Sequence, residues 1–183
     1  MLQGRRAASP FWVGFSSGLW QFGEEARWAL GSMQLKTSAF CDGGVIPTRY
    51  TCEGMNCSPP LAWEQPPQAT RSLALIVDDP DAPGGTWVHW VVYDLPSTAT
   101  QLPEDVAKTQ YLPGGAKQGL NDFRRLGYGG PCPPPGGPHR YFFRLYALDC
   151  LLDLKPGLTR KELDRAMNGH ILGQCQLLGT YQR

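Results

Sequence analysis

Ser72-Leu73-Ala74-Leu75-Ile76-Val77-Asp78-Asp79-Pro80-Asp81-Ala82-Pro83 is followed, after Gly84-Gly85, by Trp87-Val88-His89-Trp90-Val91-Val92-Tyr93. The first run is continuously apolar and β-branched toward its end, which predicts a strand buried on both faces. Asp78-Asp79-Pro80 closes it. In the second run a period of two puts Trp87, His89, Val91 and Tyr93 on one face and Val88, Trp90 and Val92 on the other. Neither face is polar, so this strand is also interior, and His89 needs a hydrogen-bonding partner.

Working outward, residues 139–148 form a third strong strand, with His139 and Tyr141 facing one way and Arg140 the other. Arg140 is expected to pair with a carboxylate and brace that strand. Between the second and third strands, residues 109–138 hold eight Gly and six Pro. A connection that long is functional or disordered, and its fixed-φ prolines favour an ordered wall. Shorter strand signals fall at 34–40, 45–51 and 61–63, and a last one at 174–181. The one convincing helix begins late, at the capping box Thr159-Arg160-Lys161-Glu162. Leu163, Ala166, Met167, His170 and Ile171 follow at helical spacing, which makes His170 a structural residue on the helix. The class is mainly β with a late C-terminal helix.

Composition narrows function. The 183 residues suit one domain, and a formal charge of +1 gives no field for nucleic acid or an anionic membrane. No apolar run is long enough to span a bilayer. Six cysteines include no C-x-x-C pair, so zinc-finger spacing is absent and mostly reduced thiols in the cytoplasm are expected. Cys52 and Cys132, both in proline-flanked loops, are the pair to test first for a bridge. Residues 1–32 carry three of the six Trp and read as an N-terminal extension, a cloning remnant or an upstream start. The functional domain is expected to be residues 33–183.

D-P-D-A-P after one strand, W-x-H in the next, and G-P-H-R-Y opening the third together resemble the phosphatidylethanolamine-binding protein family, in its prokaryotic Raf-kinase-inhibitor-like branch. Ser58-Pro59-Pro60-Leu61, Gly130-Pro131-Cys132-Pro133-Pro134 and the ending from Gly169-His170 to Gly179-Thr180-Tyr181 strengthen the match. The resemblance implies an antiparallel Greek-key β-sandwich with an anion pocket at one end. Carried over by motif, Asp79, Pro83, Trp87, His89, Gly130, Pro131, His139 and Tyr141 would line it, with Asp81 either joining them or holding the loop. It implies a non-enzymatic protein without cofactor or metal. The expected partner is a small anionic or phosphoryl-bearing ligand; a protein kinase or protease partner and a homodimer are left open.

The residues fit that chemistry. A carboxylate on one imidazole nitrogen fixes the tautomer, so Asp79 facing His89 would orient it and favour the protonated ring. Tyr141 adds a donor, and Gly130 lets a backbone N–H approach an oxyanion. If protonated His89 or His139 holds a phosphate, affinity falls as pH rises past roughly 6.5–8. Plain structural roles stand beside each of these: Asp79 as a turn former, the histidines as satisfied core residues, Trp87 and Tyr141 as packing. Two enzymatic rivals remain at this stage. One is a 2-His-1-carboxylate metal site using Asp79 or Asp81. The other is a hydrolase with Cys132 beside His139 as nucleophile, although no G-x-S-x-G elbow is present.

Overall fold

The apolar run at 72–77 lies in the interior of a six-stranded sheet in the computed structural model, which describes residues 33–64 and 66–183. In chain order the elements are β1 (Gln34–Lys36), β2 (Gly44–Val45), β3 (Leu61–Glu64), β4 (Ser72–Asp79), β5 (Trp87–Pro96), β6 (Gln101–Leu102), β7 (Lys117–Gln118), β8 (His139–Leu148), α1 (Arg160–Met167) and β9 (Ile171–Tyr181). The large sheet runs β2-β9-β8-β4-β5-β7 and a small one runs β1-β3-β6. The pairings are antiparallel except that β2 runs parallel to β9, a departure from the purely antiparallel expectation. The fold is mainly β with one late helix, as the sequence predicts. The reading of residues 1–32 concerns positions outside the described residues. Among the described residues no helix is long and apolar enough to cross a membrane.

All eight residues of β4 are buried, because both faces of the large sheet are covered. On one side Leu73, Leu75, Val77, Trp90, Val92, Phe143 and Leu145 share a core with Leu35, Leu61, Trp63 and Leu102 of the small sheet. On the other, Ala74, Ile76, Val91, Tyr93, Tyr146 and Leu148 pack with Leu163 and Met167 of α1. Each large apolar side chain so buried contributes roughly 1.5–3 kcal/mol. Asp78, buried on the helix side, accepts hydrogen bonds from Arg144 of β8 and Arg160 of α1 and so ties the helix to the sheet.

The strict alternation expected along β5 fails at two places: between Val92 and Leu95, where the register with β4 slips by one residue, and at His89. Its register with β4 passes from Val77↔Trp90 to Asp78↔Val88, leaving His89 as an extra residue. This β-bulge shifts the pleat, so Val88 joins Val91 and Tyr93 on the helix side, away from Trp90 and Val92. Trp87 and His89 are thereby turned away from the helix, toward the side that carries Tyr141.

The helix also ends sooner than its apolar stripe suggests. Thr159 and Glu162 form the expected capping box, but α1 stops at Met167 and Gly169 takes φ +84°. His170 is therefore outside the helix and well exposed, its Nδ1 2.8 Å from Asp149 Oδ1. Ile171 begins β9 instead of ending α1. The strand signals at 34–40 and 45–51 shrink to β1 and β2, the second cut short at Pro47 before a 3-10 turn at Thr48–Tyr50.

Cys52 and Cys132 are bridged, with Cα atoms 5.4 Å apart, while Cys41, Cys57, Cys150 and Cys175 are free. The bridge joins the 50–57 loop to the proline-rich segment. Residues 109–138 are an ordered wall: Gly119, Asp122 and Gly129 donate their N–H groups to the carbonyls of Val91, Val88 and His89, alongside β5.

Candidate functional site

β4 ends on Asp79, β5 opens on Trp87 and β8 opens on His139, and sheet register brings the three to one end of the large sheet. A cavity of about 210 Å³ opens there. Of the nine residues expected to form the site, Asp79, Pro83, Trp87, His89 and His139 line it. Ala82, Phe123, Cys132, Pro133 and Pro134 complete the lining.

Asp79 is buried and held from two directions. Its Oδ2 lies 2.8 Å from His139 Nδ1, and its Oδ1 accepts the Asp81 N–H at 2.8 Å. The second bond is the local turn expected of Asp before Pro. The first puts a proton on His139 Nδ1, so that a second proton on the ring would make Nε2–H a donor to an oxyanion.

Asp79 therefore orients His139 rather than His89, which corrects the sequence expectation. His89 Nδ1 lies 2.6 Å from the Gly129 carbonyl, to which it donates, and the Gly129 N–H returns a bond of 2.9 Å to the His89 carbonyl. Burial pushes the His89 pKa down, outweighing the hydrogen bond to Gly129 and the nearby Asp79 charge. The expectation of a protonated His89 is thus reversed: the neutral ring is favoured, with Nε2 as an acceptor. Phe123 stands edge-on to Trp87 at 5.4 Å and to His89 at 5.5 Å, forming an aromatic wall.

Four expected residues stand back from the cavity. Asp81 clasps Arg140 through Nε, Nη2 and the backbone N–H at 2.8–2.9 Å. That clasp holds its carboxyl down at about 2 and makes Asp81 a loop anchor. The bracing role expected of Arg140 is met. Gly130 spends its N–H on Asn56 Oδ1 at 2.7 Å, and a Cβ there would sit 2.3 Å from the Tyr50 carbonyl oxygen. Glycine is needed for that close packing rather than for approach to a ligand. Pro131 accepts the Cys52 N–H. Tyr141 lies buried behind the wall, its ring 5.2 Å from His89 and edge-on, and among the described residues its hydroxyl has no hydrogen-bond partner. Burial, then the Asp79 charge, push that phenol's pKa up, so it stays protonated and able to donate.

The hydrolase rival loses its nucleophile. Cys132 is in a disulfide and offers no thiolate. Among the described residues, the group of three His, Cys, Asp or Glu donors close enough to share a metal lies elsewhere, at Asp149, Cys150 and His170. The residues expected from sequence omit Phe123, which the pattern does not set apart from Tyr111 and Tyr128 in the same glycine- and proline-rich loop.

The family model described as phosphatidylethanolamine-binding protein matches residues 36–182. A UPF0098 protein of Methanothermobacter thermautotrophicus is 56% identical over 151 residues, covering 82% of this chain and 99% of the relative. Another, from Aquifex aeolicus, is 51% identical over 153 residues, covering 82% and 89%. Among solved structures, the phosphatidylethanolamine-binding protein homolog CT736 of Chlamydia trachomatis is similar with a TM-score of 0.76 at 42% identity, covering 83% of this chain and 98% of that one. E. coli YbcL, described as a member of the mammalian family, gives a TM-score of 0.77 at 35% identity, covering 84% and 99%. With the family model matched from residue 36 to 182 and relatives more than half identical along most of their length, the chain belongs to the phosphatidylethanolamine-binding protein family.

Proposed function

We propose that residues 33–183 are a non-enzymatic binding protein whose pocket, at one end of a Greek-key sandwich, holds a small phosphoryl-bearing ligand. The observation that carries this reading is the pairing of Asp79 with His139 on the wall of a 210 Å³ cavity that His89 also lines. A protonated His139 donates Nε2–H to a phosphoryl oxygen. Neutral His89 accepts from a ligand donor, either a phosphoryl O–H or an ammonium. Trp87 and Phe123 offer ring surface to such a cation. Among the described residues no Lys or Arg lines the cavity, so hydrogen bonds rather than fixed positive charge select the ligand, and affinity is modest. No group in the lining is placed as a nucleophile, which favours holding a phosphoryl group over attacking it.

The test is nuclear magnetic resonance titration of the whole chain with inorganic phosphate and with phosphoethanolamine. Saturable shifts at the Trp87 indole and at the His89 and His139 rings are expected. Saturable shifts confined to residues outside the cavity, or none at all, would overturn the reading. A phosphorylated side chain on a protein kinase or other partner presents the same oxygens. Shifts induced by a phosphopeptide but by neither small ligand would assign the pocket to such a partner.

A further inference from the structure

We propose a second binding site at the far end of β8, where Asp149, Cys150 and His170 form a three-donor site for a thiophilic divalent cation of the zinc type. A carboxylate oxygen, a thiol sulfur and an imidazole nitrogen there all lie within 4.8 Å of one another. β8 is ten residues long, so this cluster stands about 30 Å from the cavity at its other end.

The backbone prearranges the donors. Leu148 pairs with Ile171 where β8 and β9 meet, and the Asp149 N–H donates to the His170 carbonyl at 3.1 Å. The His170 N–H donates to Met167 at 2.9 Å, and the Cys150 carbonyl accepts from the Ser72 hydroxyl at 2.5 Å. Both chain segments are thus fixed before any ion arrives. Asp149 and His170 already meet, Nδ1 to Oδ1, at 2.8 Å. Tetrahedral zinc with N and O ligands at about 2.0–2.1 Å sets those atoms about 3.3–3.4 Å apart. The pair need open only by about half an ångström to admit the ion.

An Asp–His hydrogen bond alone would be a plain clip at the end of a hairpin. What changes its chemistry is the sulfur within reach of both. A thiolate in the set selects zinc, cobalt or cadmium over magnesium and calcium, which prefer all-oxygen sites. One carboxylate and one thiolate offset the double positive charge. Asp149 and His170 are each close to half exposed, which leaves access for the ion and room for a water in the fourth position. Binding forms a metal–sulfur bond in place of the Cys150 S–H bond and releases that proton to solvent. The ion would lock the 149–170 connection, and with it α1, to the end of the large sheet.

The experiment uses the full chain without a polyhistidine tag, titrated with cobalt(II). A near-ultraviolet thiolate-to-cobalt charge-transfer band saturating at one equivalent is expected, bleached by zinc and unaffected by magnesium or calcium. Cys150→Ser abolishes the band, whereas Cys41→Ser, altering an exposed free thiol, leaves it intact. Asp149→Asn and His170→Gln each weaken binding by more than the roughly tenfold loss typical of a supporting contact. Zinc raises the melting temperature of the wild type and leaves that of Cys150→Ser unchanged. The absence of a charge-transfer band, or a band that survives Cys150→Ser, overturns the proposal. So does cobalt affinity indifferent to both Asp149→Asn and His170→Gln.

Discussion

His89 and His139 share a cavity yet are held by different partners, a backbone carbonyl for one and a carboxylate for the other. The difference has a consequence for stability. Burial lowers the His89 pKa in the folded state, so between that lowered value and the unfolded value of about 6.5 the unfolded chain binds more protons. Stability therefore rises with pH across that window, and is lost as pH falls below about 6.5. Melting temperatures measured from pH 7.5 to 5 should fall more steeply for the wild type than for His89→Gln, since the variant lacks the titrating ring; parallel curves would refute this. The residue types of the site were legible in the sequence, because motif and strand period bring forward Asp79, His89 and His139. Their partners were not. Asp79 sits ten residues from His89 and sixty from His139, and only the sheet register shows that it reaches the more distant one.

Strands and the helix were legible as elements wherever hydrophobic period is strong, as at β4, β5, β8 and the capped start of α1. Period alone cannot show a bulge, because inserting one residue preserves the apolar composition while exchanging the faces. That is why Val88 was assigned to the wrong side of β5. The end of α1 was misread for a related reason: an apolar stripe continued past Asn168-Gly169, where positive φ at the glycine stops the helix. The short strands β6 and β7 owe their existence to pairing partners far away in sequence, which no local pattern encodes. Two consequences are measurable at this scale. Asp78 is buried against Arg144 and Arg160, which stand on different elements. Removing both arginines leaves a buried carboxylate unpaired and should cost about 3–5 kcal/mol, more than the sum of the single losses, in urea unfolding of Arg144→Ala, Arg160→Ala and the double variant. Thr159→Ala removes the cap and should cost about 0.5–2 kcal/mol in the same assay.

Across the whole molecule, the large sheet is a slab covered by the small sheet on one face and by α1 on the other, with the cavity left at one uncovered end. The wall of that cavity is irregular chain stiffened by prolines, by hydrogen bonds to β5 and by the Cys52–Cys132 bridge. That bridge spans 80 residues, so replacing both cysteines by serine should lower stability by about 2–4 kcal/mol in denaturant unfolding. It should also weaken ligand binding, since Cys132 lines the cavity. The mainly-β class was readable from composition and alternation, whereas the parallel pairing of β2 with β9 and the covering of both sheet faces emerge only from long-range packing. The central claim, that this cavity holds a phosphoryl group through His139, is tested most directly by calorimetric titration of phosphoethanolamine into the wild type and His139→Gln. Saturable one-site binding that the substitution weakens about ten- to hundredfold, as expected for loss of one charged hydrogen bond, is the predicted result. Binding of equal strength in both proteins, or no saturable heat with the wild type, would contradict it.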